Sequence, residues 1–119
     1  MAKVLVVEDE MLIRLHVADS LRDHGFSVVE AADGREAIAA LQEDTAIAAV
    51  FTDVTLPGQP DGFGLAHWVR SHRPGIPVVL TSGEVTAQHA QSVGRDETFF
   101  AKPCDYADVA KYIRSQLAK

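Results

Sequence analysis

Cysteine is nearly absent. The chain has one, Cys104, among its 119 residues, which excludes an internal disulfide and a cysteine-built zinc site and fits a reducing, cytoplasmic setting. No run of about 18 apolar residues occurs, so no membrane-spanning helix is expected. The opening MAKVLVVEDE lacks the basic region, long apolar region and small-residue cleavage site of a secretory leader. Basic residues are sparse as well: Lys and Arg number 11 against 17 acids, for a net charge of −6, and they form no dense run. A duplex-binding surface must neutralise phosphates with clustered cations, so direct nucleic-acid binding is not expected. Low-complexity tracts, internal repeats and linkers are missing too.

What is present is a regular alternation. Short aliphatic runs stand at KVLVV, SVVEA, IAAVFT, IPVVLT and TFFA. Most are too continuous for half-exposed strands, which predicts a sheet covered on both faces. Between them lie helical segments. Residues 10–24 place Ile13, Val17 and Leu21 on one face, and residues 34–43 carry Ala37, Ile38 and Leu41. Residues 63–72 offer Leu65 and Val69, and residues 106–117 offer Val109, Ile113 and Leu117. A fifth helix is expected over 85–94, on the fainter stripe Val85, Ala90 and Val93. Asp33 with Glu36, and Asp105 with Asp108, have the spacing of capping boxes. Gly25 and the pair Pro74-Gly75 stand where the first and third helices should stop. Apolar residues at 47% and charged ones at 24% describe one ordinary globular domain over residues 1–119. Five strands alternating with five helices imply right-handed crossovers and a doubly wound parallel α/β sheet. Ligands of such folds bind outside the carboxyl ends of the strands.

The strand ends carry the chemistry. Glu8 and Asp9 follow the first strand, Asp53 the third, Thr81 and Ser82 the fourth, and Lys102-Pro103 the fifth. The end of the second, EAADG, adds nothing obvious. Each residue has a plain structural explanation. Asp9 could cap the first helix, Asp53 could open the turn at Pro57-Gly58, the hydroxyls could be loop residues and Lys102 a solvated lysine. Taken singly these hold, but they leave unexplained why every charged strand end falls on one edge. Read together, clustered carboxylates call for a hard cation such as Mg²⁺, which also binds phosphate oxygens. Lys102 and Thr81 then serve a phosphoryl group, and Asp53 is a nucleophile able to form an aspartyl phosphate.

The set VVEDE, FTDVTLPG with the following DG, VVLTSG and FFAKP resembles the receiver domain of two-component response regulators, over essentially the whole chain and in the right order. That resemblance implies a flavodoxin-like sheet of order 2-1-3-4-5. It implies that Asp53 accepts phosphate from a phosphohistidine on a histidine kinase or histidine phosphotransfer protein. Asp9 resembles the direct Mg²⁺ ligand and Glu8 the neighbouring acid, with the Thr55 backbone carbonyl and Asp53 completing the protein's ligands. Thr81 resembles the switch hydroxyl and Lys102 the phosphate-contacting lysine before a cis proline. Phe99 holds the position of the switch aromatic, with a plain core role as its alternative. Residues 85–94, the last strand and the last helix form the output surface, with Tyr106 and Tyr112 as its contact residues. The resemblance also implies a downstream protein partner or an output domain elsewhere, a phosphorylation-dependent homodimer being one form such a switch takes. The chain's own catalysis would be self-phosphotransfer and slow self-dephosphorylation, so calling it an enzyme is a matter of definition.

Some features depart from the pattern. The turn after Asp53 reads PGQPDG, one residue longer than the usual Pro-Gly-x-Asp-Gly. Gly83 and the small Thr55 leave the phosphate edge open, so a labile phosphoryl group is expected. Cys104 replaces a common aromatic and is expected to be a buried small hydrophobe, with a reactive thiol as the alternative. Five histidines, His16, His24, His67, His72 and His89, show no metal-ligand spacing and are expected on the surface. Trp68 is expected on the outer side of its helix.

Competing classes fare less well. A phosphatase of the haloacid dehalogenase type needs a second aspartate two residues after Asp53, where Thr55 stands. A Rossmann-type nucleotide binder needs glycine after the first strand, and VVEDEMLIR has none. A receiver-like interaction module that is never phosphorylated stays open, as does the choice between a stand-alone receiver and one cut from a longer protein.

Overall fold

The computed structural model describes residues 1–83 and 97–119. Among them five strands are found: β1 (Lys3–Val7), β2 (Ser27–Ala31), β3 (Ile47–Asp53), β4 (Val78–Ser82) and β5 (Glu97–Ala101). All pair in parallel, in the order β2-β1-β3-β4-β5. Four helices are described: α1 (Met11–Asp23), α2 (Gly34–Glu43), α3 (Gly62–His72) and α4 (Tyr106–Leu117). Five were expected; the segment 85–94 lies outside the described residues.

Alternation along each strand divides the core into two layers. Leu5 and Val7 of β1, Val50 of β3, and Val78 and Leu80 of β4 pack with Leu41 of α2 and Leu65 and Val69 of α3. Val4, Val6, Phe51 and Val79 face the opposite way, onto Val17 and Leu21 of α1 and Val109 and Ile113 of α4. The central strands are therefore buried on both faces, which is why they read as unbroken apolar runs. One irregularity breaks the alternation: the β1–β3 register shifts between Lys3 and Val4. Ile47 and Ala49, two residues apart, consequently face opposite layers.

The helix ends follow the sequence in part. Asp33 caps α2 by accepting from the Glu36 N–H at 2.9 Å, while Glu36 Oε1 reaches back to the Ala32 N–H at 3.0 Å, one residue beyond the expected box. Asp105 caps α4 through the Ala107 N–H at 2.9 Å; the Asp108 N–H goes instead to the Asp105 carbonyl. α3 ends before Pro74-Gly75, and its cap residue Arg73 sends its guanidinium back under α2. There it donates to the carbonyls of Leu41 and Ile47, each at 2.9 Å, and Thr45 at 3.1 Å. Ile13 departs from expectation: it is 37% exposed, and Ala18 takes the buried place beside Val17 and Leu21. No described helix is long and apolar enough to cross a membrane.

Candidate functional site

The carboxyl ends of β1, β3, β4 and β5 meet around Asp53. The register pairs Asp53 with Thr81 across β3 and β4, so the sheet itself sets the acid beside the hydroxyl. Both residues are buried, as is Glu8. The loop leaving Asp53 turns back on it: the Thr55 N–H donates to Asp53 Oδ1 at 3.0 Å. On the other oxygen, Oδ2, sits the Lys102 ammonium at 2.7 Å. The same ammonium stands 3.7 Å from Glu8 Oε1, so one cation serves two carboxylates.

Burial and neighbouring charge together explain the protonation tendencies. Burial, helped by a hydrogen bond with Asp9 and by the Asp53 charge, raises the Glu8 carboxyl from 4.5 to about 7. Burial works against the Lys102 ammonium, but Asp53 and Glu8 outweigh it and move its pKa up. Among the described residues Thr81 Oγ1 is buried with no hydrogen-bond partner stronger than the neighbouring Cys104 thiol, an uncommon state for a hydroxyl. A donor in that position beside a carboxylate and an ammonium suits an anion arriving from outside.

Two hollows open from this point. A shallow cleft of about 450 Å³ is lined by Glu8, Asp9, Asp53, Thr55 and Lys102. All the residues expected to hold a cation thus border one space. Among the described residues no three His, Cys, Asp or Glu side chains stand so that they could hold a metal ion without rearrangement. The oxygen donors of this rim, with the Lys102 ammonium among them, are of the kind a hard divalent ion takes while keeping several of its waters. The second hollow, about 620 Å³, runs from Asp53, Thr81 and Lys102 between α1 and the start of α4. Leu12, Ile13 and His16 form one wall, and Pro103, Cys104 and Tyr106 the other.

The structure sorts the remaining expectations. Asp9 is exposed, and α1 is capped from Glu10 with no side-chain cap bond, so Asp9 does not cap the helix. The Lys102–Pro103 peptide is cis. Phe99 is half-buried against the α2–α3 layer, its ring 5.8 Å from that of Phe63. Tyr106 turns towards α1, edge-on to His16 at 5.5 Å and Phe51 at 6.2 Å, while Tyr112 packs edge-on to Phe100 at 6.2 Å. Cys104 is partly buried at the pocket wall; burial pushes its thiol up, against a smaller pull from the nearby Thr81 hydroxyl. Gly83 and Thr55 are exposed, as the open edge requires. Of the described histidines His16, His67 and His72 are exposed and His24 is half-buried. Trp68 is half-buried and stacks on His72 at 4.3 Å. Arg14 escaped the sequence reading: it donates to the Glu8 carbonyl at 2.9 Å and pairs with Glu30 at 3.4 Å, tying the end of β1 to β2. Nothing in its sequence position marks it, because the contact exists only once α1 lies across β2.

Comparisons with known proteins converge. Residues 4–114 match the family model of the response regulator receiver domain. The chain is 36% identical over 88 residues to a putative NtrX-like response regulator of Rickettsia felis, covering 73% of this chain and 18% of that protein. It is 32% identical over 118 residues to the probable transcriptional regulatory protein TcrX of Mycobacterium tuberculosis, covering 98% of this chain and 50% of that protein. The chain therefore spans half or less of the length of these relatives. Among solved structures, a response regulator receiver protein from Sinorhizobium medicae superposes with a TM-score of 0.90 at 29% identity, over 98% of this chain and 94% of that one.

Proposed function

We propose, for a chain that belongs to the response regulator receiver domain family of two-component signalling, that it is a phosphorylation-dependent switch whose acceptor is Asp53. The observation that supports this most is the pairing of a buried carboxylate, fixed by the Thr55 N–H and the Lys102 ammonium, with the weakly partnered hydroxyl of Thr81. The phosphodonor in this reading is a phosphohistidine on a histidine kinase or phosphotransfer protein, met in the cytoplasm.

In the reaction an Asp53 oxygen attacks phosphorus in line as the donor's imidazole nitrogen leaves. Lys102 shifts from the bare carboxylate to the charge on the incoming group, and the Thr81 hydroxyl donates to a phosphoryl oxygen. Glu8, Asp9, Asp53 and the Thr55 carbonyl would hold Mg²⁺, whose bound charge offsets that of the phosphoryl oxygens. The movement of Thr81 towards phosphate is felt through β4 by the neighbouring β5, where Phe99 pairs in register with Leu80. Tyr106 and Tyr112 on α4 lie along the route to a downstream partner, an output domain or a second copy of the chain.

A phosphate mimic tests this reading. Beryllofluoride with Mg²⁺ should shift the amide resonances of Asp53, Thr81 and Lys102 and then those of β5 and α4. An unchanged spectrum would point to an interaction module that is never phosphorylated.

A further inference from the structure

Gly34, Gly62 and Gly64 are glycines for want of room. Among the described residues the positive-φ glycines are Gly25, Gly58 and Gly75, so backbone conformation does not require the absence of a side chain at 34, 62 or 64. Space does. A Cβ on Gly34, the first residue of α2, would lie 2.3 Å from the Pro60 carbonyl oxygen and 2.9 Å from Pro60 Cγ. One on Gly64 would lie 2.8 Å from Pro60 Cβ. One on Gly62 would lie 2.2 Å from the Asp53 carbonyl oxygen and 2.6 Å from Val54 Cα. Pro60 is thus lodged between the first turns of two helices, and the second of these backs onto the main chain of Asp53.

Both helix starts are themselves pinned. Asp33 accepts from the Glu36 N–H, and Asp61 accepts from the Gly64 N–H at 2.8 Å. The Gly62 N–H donates to the Val54 carbonyl at 2.8 Å. The loop between those fixed points carries Thr55, whose N–H holds Asp53 Oδ1. EAADG, silent in the sequence, provides the seat, and Pro60 of the lengthened PGQPDG turn provides the ring that fills it.

We infer that Pro60, seated against Gly34, is a positioning residue for Asp53: it fixes the loop that carries Thr55, and through the Thr55 N–H the orientation of the acceptor carboxylate. The importance of that orientation rests on the reading of Asp53 as phosphoacceptor; the wedge itself does not. Glycine is a less favourable helix residue than alanine, and here close approach of the loop is what its small size permits.

The test compares Gly34→Ala, Pro60→Gly and the double variant with the wild type by ¹⁵N NMR, following the Thr55 amide shift and its hydrogen exchange. Phosphoryl uptake from acetyl phosphate with Mg²⁺ is measured in parallel. Gly34→Ala, which drives Pro60 out, should speed Thr55 exchange and slow uptake at saturating donor, each by about tenfold, leaving half-saturation unchanged. Pro60→Gly should act in the same direction more weakly; it adds no atoms to the seat, and with its fold checked by circular dichroism it carries the test even by itself. The double variant should not recover the loss, because the backbone carbonyl of residue 60, which the new methyl meets first, is still there and the wedging ring is gone. A Thr55 amide within twofold of wild type in both single variants overturns the wedge, whatever happens to the melting temperature. A wild type that takes no phosphoryl group overturns the acceptor reading instead, while Thr55 exchange still decides the role of Pro60.

Discussion

Lys102 and Asp53 meet at 2.7 Å although their strands are not neighbours; β4 lies between them. The Lys102 N–H is bonded to the Ser82 carbonyl at 2.9 Å, which fixes where the chain leaves the sheet and so aims the side chain back across β4. A positive charge is thereby stationed on the oxygen opposite the one that Thr55 holds. Lys102→Ala should leave the fold intact and slow phosphoryl uptake from acetyl phosphate by about a hundredfold, the usual scale for removing one preorganised charge or donor. Stopped-flow or quench kinetics on the folded variant checks this.

The raised Glu8 carboxyl gives a pH dependence. Its native value is about 7 against 4.5 for the unconstrained group. Between those values the native state holds a proton that the unfolded chain has lost, so stability must fall as pH rises through the window. The contribution is fully present below 4.5 and gone above about 7. Glu8→Gln should flatten this dependence and raise the melting temperature at pH 8. Added Mg²⁺, which favours the ionised acids, should stabilise the wild type most at that pH. Denaturation midpoints from pH 4 to pH 8, with and without Mg²⁺, decide it.

Thr81 separates signalling from folding. Among the described residues its hydroxyl lacks a hydrogen-bond partner beyond the weak Cys104 thiol beside it, so removing it strands no strong donor or acceptor. Thr81→Val, close in shape, should keep or raise the melting temperature and still accept phosphate. The spectral shifts that beryllofluoride induces on β5 and α4 should be lost. A variant that unfolds, or that still relays the shift, contradicts the assignment.

Much of this was legible in the sequence. The strands were found nearly to the residue because a sheet covered on both faces demands unbroken apolar runs, and β3 is one from Ile47 to Phe51. The candidate site followed, since a doubly wound sheet gathers its strand ends on one edge. Contacts that depend on how elements lie against each other stayed hidden. Ile13 has the spacing of a core residue, but α1 turns it to the pocket wall. Asp9 has the chemistry of a cap, but the chain reaches helical geometry only after Glu10. Gly34 and Pro60 are far apart in sequence and touch only in the folded protein.

Arg73 is another such case. Its guanidinium donates to the carbonyls of Leu41 at the end of α2 and Ile47 at the start of β3, each at 2.9 Å. Lysine cannot reproduce that fork of donors. Both Arg73→Ala and Arg73→Lys should lower stability, the former by about 2 kcal/mol on the scale of hydrogen bonds to charged groups. Urea denaturation with unchanged slope gives the value.

The open edge at Gly83 and Thr55 bears on signal duration. With both residues exposed, water access to Asp53 along this edge is expected, so the acyl phosphate should be short-lived in the native protein with Mg²⁺ and persist after denaturation in acid. A half-life of many hours in the native state contradicts this.

The most direct measurement is the intact mass of the protein after incubation with acetyl phosphate and Mg²⁺, for the wild type and for Asp53→Asn. The wild type should gain one phosphoryl group that hydroxylamine removes, as expected for an acyl phosphate. Asp53→Asn should gain none while keeping its fold by circular dichroism. Full uptake by Asp53→Asn, or none by the wild type, would contradict Asp53 as the acceptor.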